Sequence, residues 1–252
     1  GVVRASGRCG FSSMVVTAML HRRRPATRVL VVAHLDDADD AVETMRSLGV
    51  EAMRFPAMER LPGDRSFRTD LLVDRIATAT LLRTAPDRPQ VIVAPVHALM
   101  QSLPSDDTLG WCYRVCRAGD RCDRDELVAF LVEGGYQRVT TIEEPGEFAL
   151  RGDILDVFPR GSVPARIDFD DDVIEAIWSI ELDTMGSQER LARIDLLSDR
   201  AIEAVDDGAD HLLDRVGPEC ELVVDDLAEV TEQGRNYLQR LDDQQGILSI
   251  DD

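Results

Sequence analysis

Gly146–Asp172 reads GEFALRGDILDVFPRGSVPARIDFDDD, and its pattern decides the fold of this part of the chain. Three short runs, EFALR, ILDVF and ARIDF, are separated by Gly152-Asp153 and by Pro159–Pro164 with Gly161 inside it. Side chains alternate faces along a strand, so Ala165, Ile167 and Phe169 share one face and Arg166, Asp168 and Asp170 the other. By the same parity Phe148 and Leu150 point inward, and Glu147 and Arg151 outward. Short strands joined by Gly or Pro turns predict an antiparallel meander. Arg151 and Arg166 then project from one small sheet, where a planar guanidinium suits bidentate recognition of a partner's carboxylates. The competing reading pairs each arginine locally, Arg166 with Asp168 or Asp170, for little energy.

Working outward, Val173–Ile180 continues the strand pattern and Tyr136–Thr141 precedes it. Asp123 is placed to cap a helix with Glu126 in its first turn and Leu127, Phe130 and Leu131 inside, closed by Gly134 and Gly135. Residues 106–181 are thus predicted to form an α+β domain of antiparallel sheet plus helix. Upstream the style differs. A helix at Ser12–Arg24 ends at Pro25, and Arg28–His34 is a buried-strand run. Asp36 or Asp37 is placed to cap a helix whose Ala41, Val42, Met45 and Leu48 share a face, with Gly49 as its stop. A strand at Val50–Phe55, a helix at Asp70–Thr84 and a strand at Gln90–Val96 follow. Alternating strands and helices predict a parallel sheet covered by helices, an α/β domain. After Asp183 the chain reads as acidic and helical, with one more strand at Glu221–Val224. Residues 1–105 and 182–252 are therefore expected to be two parts of one α/β domain, with 106–181 inserted.

Composition bounds the function. The net charge of -20 disfavours general binding to a phosphate backbone. The charge is uneven: residues 1–35 hold six arginines and no acid, and residues 201–252 fifteen acids against three arginines. All 28 residues counted as Lys+Arg are arginine, which excludes chemistry that needs a lysine ammonium from this chain. The run Val29–Val32 through Leu35 is too short to span a membrane. Gly1 stands where Met would, without a signal-peptide pattern, which suggests a segment of a longer chain. Five irregularly spaced cysteines predict reduced thiols and a cytoplasmic setting.

Three stretches invite a chemical reading. GRCGFSS, Gly7–Ser13, opens a helix with the glycines and hydroxyls of a phosphate-binding loop: Gly7, Gly10, Ser12 and Ser13. A working loop has Lys before Ser/Thr to hold the terminal phosphates, and here Phe11 takes that place. Nucleotide hydrolysis is not expected, and the loop reads as a relic or a plain helix start. The strand Glu221–Val224 ends in Asp225 and Asp226, the kind of acids that hold magnesium in nucleotide hydrolases; beside a defective loop they read as a second relic. Cys112, Cys116 and Cys122, with His97 upstream and His211 far downstream, lack the close paired spacing of structural zinc, so no metal is expected. The four histidines form no cluster with Ser or Cys, so no catalytic residue is expected.

The residues also carry a family resemblance. GEFALRGDILDVFPRGS and ARIDFDDDVIEAI resemble the second domain of bacterial transcription-repair coupling factors (Mfd), and the corresponding domain of the excision-repair protein UvrB. FPAMERLPGDRSFRTDLLVDRIATATLLRT (Phe55–Thr84), VIVAPVHALMQ (Val91–Gln101) and GDRCDRDELVAFLVEGGYQRV (Gly119–Val139) are similar to the same family, and together they cover most of residues 1–200. UvrB has an intact phosphate loop and a tyrosine-rich hairpin. This chain has neither, with no tyrosine between Phe55 and Asp70, so it resembles the coupling factors. The resemblance implies a degenerate P-loop, helicase-like α/β domain with an inserted UvrA-binding domain and no cofactor in this segment. RNA polymerase, DNA and ATP would engage regions outside it. It implies UvrA contacts at Arg151 and Arg166, with Gly152 and Phe169 beside them. The family tends to show two aromatics after the second arginine, where this sequence has Phe169 and then Asp170, and its Pro159–Pro164 turn is one residue shorter. Two alternatives stay open at this point: a UvrB-like damage-verification ATPase, and a stand-alone interaction domain.

Overall fold

The computed structural model describes residues 10–58, 68–203, 210–241 and 246–250. Among them the strands are β1 (Arg28–Val32), β2 (Ala52–Arg54), β3 (Val91–Pro95), β4 (Tyr113–Arg117), β5 (Gln137–Arg138), β6 (Glu147–Arg151), β7 (Ile154–Phe158), β8 (Ala165–Asp170), β9 (Val173–Glu181), β10 (Gly186–Arg190), β11 (Arg193–Leu197) and β12 (Glu221–Val224). The helices are α1 (Phe11–Arg23), α2 (Leu35–Ser47), α3 (Thr69–Thr84), α4 (Val96–Met100), α5 (Asp106–Cys112), α6 (Arg124–Glu133), α7 (Asp199–Glu203), α8 (Leu212–Arg215) and α9 (Leu227–Arg240). They form two compact units. Of the described residues, one holds 10–58, 74–103, 210–241 and 246–250, and the other 68–73 and 104–203.

The first unit is a four-stranded parallel sheet in the order β12-β1-β3-β2. Every residue of β1 and β3 is buried, which is why both read as unbroken apolar runs rather than as alternating ones. On one face Leu30, Val32, Val91 and Val93 pack against Met14 and Ala18 of α1 and Ala41 and Met45 of α2. The predicted cap of α2 lies too late: His34 is the N-cap residue, and Asp36 and Asp37 occupy the first turn, where their charge still favours the helix. Arg75 of α3 is 1% exposed and stacks 4.3 Å from the Phe55 ring centroid. It donates to the carbonyls of Pro56, Ala98, Gln101 and Ser102 at 2.8–3.2 Å.

The second unit is a six-stranded sheet in the order β10-β9-β8-β7-β6-β5, with a separate β4–β11 pair. Helix α6, capped by the Asp123 carboxylate accepting from Asp125 and Glu126 N–H, covers the inner face with Leu127 and Leu131. Phe148, Leu155, Val157, Ala165, Ile167, Phe169, Ile174 and Ile177 complete this core. Two expectations need correction here. Tyr136–Thr141 contributes only the two-residue β5, and it pairs parallel to β6. The stretch after Asp183 is not helical at first but makes β10 and β11. β10 is an edge strand with no buried residue, so no apolar period announces it.

Two turns fix the geometry of the sheet. Gly152 has φ 60 at the first position of a two-residue loop, where a type II′ hairpin needs a positive φ. Arg124 clamps that turn, reaching the Gly152 carbonyl at 3.0 Å and Asp153 at 2.7 Å. Gly161 has φ 75, and an added Cβ would lie 2.7 Å from the Asp70 backbone nitrogen. We expect Gly161→Ala to cost about 2 kcal/mol in urea unfolding, since both the backbone conformation and the close approach oppose a side chain. An unchanged unfolding midpoint would show that neither constraint acts.

Candidate protein-docking face

The face of the six-stranded sheet opposite α6 is read row by row from the strand register. One row runs Ala149, Asp156, Arg166, Trp178, Arg190 across five strands, β6 to β10. The adjacent row runs Arg151, Ile154, Asp168, Ala176 across β6 to β9. Parity thus puts the two predicted arginines on the same face, as anticipated. A small apolar cluster of Ile142, Ala149 and Ile180, flanked by Val139, Phe158, Leu182 and Met185, closes one end of this face.

Asp156 organises the middle. It is 1% exposed and takes both Arg166 Nε at 2.7 Å and Arg166 Nη2 at 3.0 Å, the bidentate fork of a strong charge-assisted pair. The hydrogen bonds that Arg166 donates to that carboxylate raise its pKa further, so its charge is fixed. Arg151 lies 3.9 Å from the same carboxylate and also donates to the Thr140 carbonyl and, at 3.3 Å, to Thr141 Oγ1. Local pairing of Arg166 therefore occurs, but with Asp156 across the hairpin instead of Asp168 or Asp170 on its own strand. The two arginines also differ in access: the Arg166 side chain is 20% exposed and that of Arg151 51%. Asp168 is engaged elsewhere, accepting from Trp178 Nε1 at 2.9 Å.

Phe169 belongs to the core at 6% exposure, so its side chain does not reach the surface assigned to it. Asp170, next along, is exposed. Asp156, Trp178 and Arg190 were missed in the sequence. The signal for Asp156 was present, because a two-residue turn at Gly152-Asp153 forces Ala149 opposite Asp156 and turns its side chain outward.

The other candidates lie in the first unit. Gly7 is outside the described residues. Gly10 has φ 85, and its N–H donates to both Asp225 carboxylate oxygens at 2.8 and 2.9 Å. The start of α1 thus already holds a carboxylate from the end of β12, at the kind of position where a helix terminus would cradle a phosphate. Ser13 Oγ donates to the Gly10 carbonyl at 2.7 Å, and Ser12 is exposed. The paired acids after β12 both sit at helix starts: Asp225 accepts the Gly10 N–H ahead of α1, and Asp226, at φ 41, caps α9 by accepting from the Glu229 N–H. Among the described residues no group of three or more His, Cys, Asp or Glu is arranged to hold a metal. Cys116 and Cys122 lie in the same core cluster, and their interaction pushes the first thiol up and the second down. No helix of the described residues is long and apolar enough to cross a membrane.

Comparison with known proteins places this sheet in a family. Residues 115–201 match the UvrB interaction domain, a span that holds all of β5 to β11 and α6. The chain is 33% identical over 174 residues to a transcription-repair-coupling factor of Haemophilus influenzae, covering 67% of this chain and 15% of that protein. It is 35% identical over 147 residues to the transcription-repair-coupling factor of Escherichia coli, covering 58% and 13%. Against that of Bacillus subtilis it is 28% identical over 195 residues, covering 76% and 16%. The chain spans less than a fifth of the length of these curated relatives. The resemblance read in the sequence therefore holds: this chain is homologous to a segment of the transcription-repair-coupling factors and carries their UvrB interaction domain at residues 115–201.

Proposed function

We propose that this chain is a non-catalytic docking module that recruits UvrA, and that within a longer cytoplasmic protein it links a stalled RNA polymerase to nucleotide excision repair. The observation that carries this reading is the match of residues 115–201 to the UvrB interaction domain. It coincides with the sheet face on which Asp156 organises Arg151 and Arg166. Contacts with RNA polymerase and DNA, and the use of ATP, would belong to other regions of such a protein. We read the first unit as a degenerate P-loop, helicase-like domain and assign it no cofactor. Support comes from its parallel sheet, from Phe11 in place of the loop lysine, and from the Asp225 carboxylate at the start of α1.

The reading is tested by titrating UvrA into the chain and into Arg151→Ala in a calorimeter. Arg151 is the more exposed of the two arginines, and its removal is expected to weaken binding roughly thirty-fold, about 2 kcal/mol. A folded Arg151→Ala that binds like the parent would place the interface elsewhere. The ATPase alternative is tested in the same instrument: the chain alone is expected to give no heat with millimolar ATP, and a saturable isotherm would reinstate it.

A further inference from the structure

Four polar side chains at the centre of the docking face are already committed, in two pairs. Asp156 is buried and holds Arg166, and Asp168 accepts from the Trp178 indole. What remains accessible is different chemistry. The Trp178 ring lies half-buried between Arg166 and Arg190 in the same cross-strand row. The Arg190 guanidinium sits 5.9 Å from its centroid, a cation–π distance. Arg190 is exposed, as is Ile154 at 39% in the neighbouring row. An aromatic fixed at its polar end, flanked by arginines and set on a sheet, loses little side-chain entropy on binding. That is the composition of an interface hot spot.

Resting on the UvrA reading above, we propose that Trp178 is the anchor of the docking face. In this arrangement the indole takes an apolar group of UvrA, while Arg151 and Arg190 on either side meet carboxylates around it. Arg166 acts as a positioning residue: locked on Asp156, it supports the floor of the site and makes little direct contact. The surface therefore fits an acidic segment of the partner with an apolar side chain at its centre.

The test uses the full 252-residue chain with purified UvrA and compares the parent with Trp178→Ala, Trp178→Phe and Arg151→Ala. Trp178→Ala is expected to weaken binding about thirty-fold, equivalent to about 2 kcal/mol at 1.4 kcal/mol per decade, with a parent-like melting curve. Trp178→Phe keeps an aromatic face and is expected to lose less than about tenfold. The chain has two tryptophans, so in a Trp111→Phe background the fluorescence is that of Trp178 alone. It should shift blue and resist quenching by acrylamide when UvrA is added. That readout decides the matter even if Trp178→Ala fails to fold. Trp178→Ala binding within twofold of the parent, or Trp178 emission unmoved by saturating UvrA, overturns the anchor; if Arg151→Ala is still weakened, the UvrA reading survives. A parent chain that does not bind UvrA overturns both.

Discussion

Asp156→Ala is expected to lower the stability of the second unit by about 3 kcal/mol, because it leaves the Arg166 charge with little access to water and without its partner. A surface ion pair would contribute under about 1 kcal/mol. Here the carboxylate is 1% exposed and the guanidinium 20%, so water cannot replace the lost hydrogen bonds. Breaking such a pair from one side costs about 3–5 kcal/mol, whereas replacing both partners by apolar groups can be close to neutral. The double variant Asp156→Ala with Arg166→Met is accordingly expected to recover about half of the loss. Both tryptophans, Trp111 and Trp178, lie in the second unit, so intrinsic fluorescence during urea unfolding reports this unit alone. A single variant that unfolds within about 0.5 kcal/mol of the parent would remove the network from the energetics of the sheet. The same logic warns against Arg166→Ala as a binding probe, since it uncovers Asp156 and mixes folding with recognition.

Arg75→Ala should be more damaging, costing about 4 kcal/mol in the first unit. One guanidinium there reaches the carbonyls of Pro56, Ala98, Gln101 and Ser102 while lying on the Phe55 ring. Truncation leaves buried acceptors with one donor fewer and opens a cavity of side-chain size. Lysine is no substitute, because a single ammonium has three donors at one point and cannot copy the fork that serves four carbonyls and stacks flat on an aromatic ring. We expect Arg75→Lys to lose about 2 kcal/mol. The check is far-UV circular dichroism during urea unfolding: a helical transition should move to lower denaturant while the tryptophan transition stays in place. Coincident movement of both transitions would mean that the effect is not confined to the first unit.

Much of the fold was legible because it followed from local rules. β1 and β3 are apolar runs bounded by Pro and polar residues, and β6 to β9 alternate with period two around turn residues that allow little else. What escaped notice had no local signature. β10 has no buried side, and β4 and β11 pair about 80 positions apart; the strand expected at Tyr136–Thr141 shrinks to the two-residue β5. At the docking face the sequence placed Arg151 and Arg166 on one side of a sheet by parity alone. It could not tell the accessible arginine from the committed one. Phe169 shows the limit in the opposite sense: parity put it inside, and inside it is.

The sequence by itself determined most of the secondary pattern, the missing loop lysine, the outward parity of the arginines and the family. These depend on residue type and on spacing along one chain, where the physics is short-ranged. Only the tertiary structure decided that Arg166 is held by Asp156, that Trp178 stands in the same row, and that Asp225 already occupies the start of α1. Each of those depends on which elements pack and in what register, and that packing brings together groups 10 to 215 positions apart that no local rule connects.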